Sequence, residues 1–198
     1  MQSYLAGLGM LLSLIVAIGA QNAFVLKQGL LRQHVLAVAL FCALSDALLI
    51  VAGVAGAGVI VSAHPGFLTA TKWGGALFLF WYGLRSFRAA WVGGQELHAT
   101  AGTAVQLGAV LSTAAALTWL NPHVYLDTLI LLGAVSAQAE SRWLFALGAV
   151  SGSLGFFLLL GFGARLLAPV FARPIAWRVL DALVGAMMWL IAWGLVRG

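Results

Sequence analysis

The amino-acid sequence predicts an all-α polytopic membrane protein: six transmembrane helices arranged as two inverted three-helix repeats, with the first and fourth helices broken. Three observations predict it. The 198 residues are 63% hydrophobic and only 8% charged, whereas a soluble globular domain carries about 25% charged residues; mean hydropathy is +1.06. Apolar residues gather in six runs, near 3–26, 35–62, 67–87, 105–135, 143–167 and 177–197, each close to the ~20 residues that a spanning helix needs. Two runs are interrupted at matching places, by "GAQNAFVLKQG" (19–29) and by "LNPHVYLDT" (120–128). A transmembrane barrel would show short alternating segments instead.

The first run lacks a positive leader, and its first basic residue, Lys27, lies beyond it. That reads as an uncleaved first span rather than a signal peptide. Gln21 and Asn22 interrupt it just after Gly19. The second run holds Asp46 near its middle, with Cys42, Ala43, Ile50 and Gly53 at helical spacing around it. These are mostly small and admit a neighbouring helix closely. The glycines of "GVAGAG" (53–58) read as a packing face, as do those of "GAVSG" (148–152). The third run is followed by the longest polar connection, "RAAWVGGQELHATAGT" (88–103). In the fourth run Pro122 removes a backbone donor and disfavours helix at Asn121. Asp127 follows, with His123 one turn before it. The sixth run starts with Arg178 and Asp181, three residues apart, which is ordinary ion-pair spacing on a helix.

The chain therefore divides into a first three-helix repeat at residues 1–91, a linker at 92–104 and a second repeat at 105–198. Ser13 and Asn22 match Ser112 and Asn121 at an offset of 99; Gly74 and Gly83-Leu84 match Gly185 and Gly194-Leu195 at an offset of 111. The middle spans align through Ser45 and Ser151. With three spans per half, the second enters the membrane from the opposite side.

Charge sets orientation and partners. Segments after runs 1, 3 and 5 carry Lys27, Arg32, Arg85, Arg88, Arg165, Arg173 and Arg178; the other side carries Lys72, Arg142 and Arg197. The positive-inside rule puts both termini outside, and a five-span count would reverse one of them. Basic residues flanking apolar runs suit anionic lipid head groups rather than nucleic acid. The lone Cys42 forms no internal disulfide. No HExxH, CxxC or GxSxG is present, so no enzyme, cofactor or resident metal site is expected. Proteins of this size and span number often pair as homodimers.

Irregular backbone at membrane depth survives only where it is buried or lines a cavity. Paired breaks in two repeats are the best sequence pointer to a transporter's substrate site. Carboxylates at a helix centre cost roughly 2.5–3.5 kcal/mol on insertion scales, so Asp46 and Asp127 call for a role. Two acids in a low-dielectric cavity favour a cation or a proton. Broken-helix N–H groups favour a carboxylate. Both together suit a basic amino acid.

The segments "GAQNAFVLKQG", "SDALLI" (45–50) and "LNPHVYLDT" resemble the signatures of the lysine exporter (LysE) family, in its lysine/arginine branch, in order and spacing from first span to last. Related homoserine/threonine exporters usually carry a Gly-Pro-Gly type segment where this chain has Gly19-Ala20-Gln21-Asn22. The resemblance implies export of L-arginine or L-lysine across the bacterial inner membrane. It also implies that Asp46 and Asp127 are the family's intramembrane aspartates. The expected substrate-binding residues are Gln21, Asn22, Asp46, Asn121, Pro122, His123 and Asp127, with Asp46 and Asp127 coupling to protons. Two alternatives stand beside it: a divalent metal-ion exporter, with Asp46, Asp127, Asn22 and Asn121 as oxygen ligands, and an accessory membrane subunit without transport.

Overall fold

The computed structural model describes residues 1–16, 19–93 and 106–197, and among them the regular structure is helical throughout. The first run forms two helices, α1 (Gln2–Ile15) and α2 (Ala20–Leu31), whose axes lie at 84°. The second forms α3 (Val35–Val54) and a short α4 (Ala57–Ser62). That run was expected to be one helix. It divides because Gly56 takes φ 103°, a backbone conformation glycine reaches without steric penalty. The third run is α5 (Pro65–Val92). Most of the expected linker lies outside the described residues.

The fourth run divides at Asn121 into α6 (Leu107–Trp119) and α7 (Pro122–Ser136), the latter widening to a π-helix over Leu126–Leu131. The fifth is α8 (Arg142–Gly163), continued by a 3₁₀ turn to Leu167. The sixth is α9 (Pro174–Arg197).

By length and apolarity, α3, α8 with its 3₁₀ extension, and α9 can each cross a membrane, and the bent α1–α2 pair makes a fourth candidate. The remaining two runs fall short of a six-span count for physical reasons. The run of α5 is long enough at 28 residues, but Lys72, Arg85 and Arg88 lower its hydropathy. The fourth run is apolar but is cut into two short helices by the break.

Helices from the two halves interleave. α1 packs along α8, α5 along α9, and α3 along α8. The α1–α8 seam depends on glycine: a Cβ at Gly7 would lie 2.0 Å from the Phe145 carbonyl oxygen, and one at Gly148 2.0 Å from that of Tyr4. Small residues that let backbones touch replace the hydrophobic driving force that lipid cannot supply. A central cluster including Phe24, Val38, Cys42, Leu79, Leu117, Phe157 and Met188 fills the middle of the bundle. Burial runs opposite to that of a water-soluble protein. Leu44, Leu77, Leu159 and Leu190 stand exposed on outer faces, while Asn22, Asp46, Ser153 and Asp181 are buried.

Candidate functional site

Both breaks are held by side chains that satisfy freed backbone groups. At the first, Asn22 Nδ2 donates to the Ile15 carbonyl at the end of α1, 2.6 Å. Gly19 caps α2 in an extended conformation with no side-chain bond. The N–H groups of Ala20 and Gln21, in the first turn, therefore have no partner within their own helix. At the second break, Asn121 Oδ1 accepts from the His123 N–H at 3.1 Å and caps α7. Tyr125 Oη donates to the Trp119 carbonyl at 2.6 Å, one of the acceptors left open where α6 ends.

The breaks meet around one cavity of about 420 Å³, within the 300–1,000 Å³ typical of small-molecule sites. Its walls carry Gln21, Asn22, Asp46, Asn121, His123 and Asp127 together with apolar side chains such as Leu14, Phe157 and Ile191. Pro122 alone of the expected site residues does not line it; Pro122 is buried behind the break and fronts a separate pocket beside Lys72. A larger groove of about 710 Å³ between α5 and α9 is lined by apolar side chains such as Leu77, Phe80 and Trp189, and offers no charge to a polar ligand.

The two carboxylates differ in setting. Asp46 is 5% exposed and accepts from Ser153 Oγ at 2.7 Å. Asp127 is half-buried on the π-helical stretch, one turn after His123. Such widened turns recur at functional sites because they re-aim side chains. The stretch is approached closely by α3: a Cβ at Gly53 would lie 2.5 Å from the Thr128 carbonyl oxygen. Gln21 Nε2 is buried beside the Cys42 thiol, which is only a weak acceptor. The cavity thus offers two acids to a cation, and the Gln21 amide beside the first turn of α2 to an anion. Among the described residues no cluster of three His, Cys, Asp or Glu could hold a metal ion.

Two polar pairings were not foreseen. Ser153 lies two residues from Ser151, which instead bonds the Leu147 carbonyl in its own helix. Nothing in the local sequence separates the two serines. Asp181 does not pair with Arg178, as its spacing suggested; it pairs with Lys27 of α2, because α2 packs against the face of α9 on which Asp181 is buried.

The sequence matches the model of the LysE type translocator family over residues 12–198. It is 43% identical over 196 residues to the arginine exporter protein ArgO of Yersinia enterocolitica, covering 98% of this chain and 96% of that protein. It is 44% identical over 179 residues to a Mycobacterium bovis protein with the provisional name amino-acid transporter Mb0498, covering 90% of this chain and 89% of that one. A Mycobacterium tuberculosis protein of the same provisional description matches equally. No solved structure matches.

Proposed function

The chain belongs to the LysE type translocator family, and from that premise we propose that it exports L-arginine or L-lysine from the cytoplasm across the bacterial inner membrane, by proton-coupled alternating access. One observation carries the reading: Asp46, Asp127 and the Gln21 amide face a single cavity at the two helix breaks. The carboxylates take the ammonium and guanidinium groups. The first turn of α2 takes the α-carboxylate, at the positive end of its dipole.

Charge explains the coupling. Carrying one positive charge outward against an inside-negative potential costs about 2.3 kcal/mol per 100 mV. One proton moving inward cancels that charge. Asp46, buried among apolar helices and able to hold either a proton or a cation, is the exchanging group, and Asp127 assists it. Substrate binds the ionised acid on the inside; protonation accompanies the empty return. The division into inverted repeats supplies the rocking units, and the distribution of Lys and Arg puts both termini on the periplasmic side.

The test is uptake of radiolabelled L-arginine into proteoliposomes preloaded with unlabelled arginine, with lysine, threonine and Mn²⁺ as competitors. Exchange blocked by arginine or lysine alone is the expected result. An imposed pH gradient should drive net arginine movement opposite to the proton. Asp46→Asn should insert normally and lower exchange about a hundredfold or more, as expected for losing a buried charge pairing of about 3 kcal/mol. Full activity of that variant would sink the assignment of Asp46.

A further inference from the structure

A second cavity lies further along the same helix. It encloses about 170 Å³ and is lined by Phe24, Lys27, Gln28, Tyr82, Arg85 and Ser86, among others. Lys27 and Gln28 follow Ala20 and Gln21 of the main cavity by seven residues, two helical turns. The two cavities therefore share one face of α2, about 10 Å apart along its axis. α9 also passes both: Ile191 and Gly194 line the first, and Asp181 reaches Lys27 beside the second.

The polar groups of this cavity, and Asp181 behind its Lys27 wall, are incompletely matched. Asp181 is fully buried; Oδ1 takes the Lys27 ammonium, while Oδ2 is buried without any donor. Gln28 is 7% exposed, and its Oε1 is likewise buried without a donor. Leaving a buried acceptor without a donor is costlier than satisfying it. An ammonium offers three donors and a guanidinium five, so a ligand's basic group can satisfy acceptors that Lys27 leaves open. Arg85, exposed at the mouth and lying over Trp81, is placed to take the carboxylate of such a ligand.

We propose that Asp181 and Gln28 form a second station for the basic group of a transported amino acid, which Lys27 occupies as a tethered stand-in when no substrate is there. This rests on reading the protein as a basic amino-acid exporter. Incoming substrate displaces Lys27 from Asp181, so the buried carboxylate keeps one cation throughout and the exchange is nearly balanced.

Arginine exchange by the unmodified protein in proteoliposomes comes first; its absence would overturn the export reading itself, whatever the variants do. Given exchange, Lys27→Met should lower the KM for arginine at least about threefold, by removing the competing occupant. The charge-balanced Lys27→Met/Asp181→Asn protein should lose that gain. Gln28→Leu, which leaves the ion pair in place, should raise KM about threefold, as expected when one competing state gains weight. In an Asp46→Asn background, equilibrium binding of labelled arginine to Lys27→Met protein should persist and should vanish on adding Asp181→Asn. An unchanged KM in Gln28→Leu, or a double variant that retains the gain of Lys27→Met, would overturn the second station and reduce the pair to a structural one.

Discussion

The two helix breaks solve the same backbone problem in opposite ways. At the second, the residues around Asn121-Pro122 consume what the break frees. Asn121 caps the His123 N–H, Pro122 has no N–H to offer, and Tyr125 covers the Trp119 carbonyl. At the first, Asn22 turns back to the end of α1 and satisfies the Ile15 carbonyl, while Gly19 contributes no side chain to the start of α2. At the first break one carbonyl, that of Ile15, is taken by a side chain, and the first turn of α2, with no side-chain cap, borders the cavity. The second break is closed on both sides and contributes side chains, His123 and Asp127, instead of backbone. Under the proposed function, a site that must hold both ends of a zwitterion uses both solutions. One break sets a helix start on the cavity wall; the other sets His123 and Asp127 there.

This difference can be broken at several points. The largest effect should come from Gly75→Val. A Cβ there would lie 2.1 Å from the Leu120 carbonyl oxygen, so α5 could no longer approach the second break. Size-exclusion chromatography of the detergent-solubilised protein should show loss of the folded species. Next, Asn22→Ala should destabilise by about 1–3 kcal/mol, because it strands the part-buried Ile15 carbonyl. Asn121→Ala should cost about 1 kcal/mol, the usual loss of an N-cap. Comparing their melting temperatures tests whether the first break carries the heavier burden; a larger drop for Asn121→Ala would reverse the ranking. The smallest stability change should come from Gly19→Ser, and it separates stability from function. A Cβ at Gly19 meets nothing within 4 Å, and serine is a better N-cap than glycine by only a few tenths of a kcal/mol. The variant should melt slightly higher yet show a raised KM for arginine, since its hydroxyl occupies the N–H groups assigned to the substrate carboxylate. A KM unchanged from the parent would remove those N–H groups from the site.

Much of the cavity was legible before any coordinates, and the reason is local. A polar group in an apolar run, a proline after an asparagine and a glycine before a pair of amides each carry their penalty within a few residues, so the pattern along the chain exposes them. Gln21, Asn22, Asp46, Asn121, His123 and Asp127 were found that way, and they do meet in one cavity. Pro122 was legible as the cause of a break but not as a residue behind it, because a proline acts on backbone geometry wherever its ring points. The division of the second run at Gly56 was missed because glycine in a membrane helix marks close packing as often as a turn, and only its φ distinguishes the two.

What the sequence determined by itself is the membrane character, the two interruptions and the acids near them, since transfer of a side chain or peptide group between water and hydrocarbon depends mainly on the group itself. What only the tertiary structure decided is pairing. Ser153 reaches Asp46 across 107 residues of chain, and Lys27 reaches Asp181 across 154. Either acid had nearer candidates along its own segment. The choice fell to whichever helix faces could approach most closely, and that is set by the small residues of the whole bundle at once.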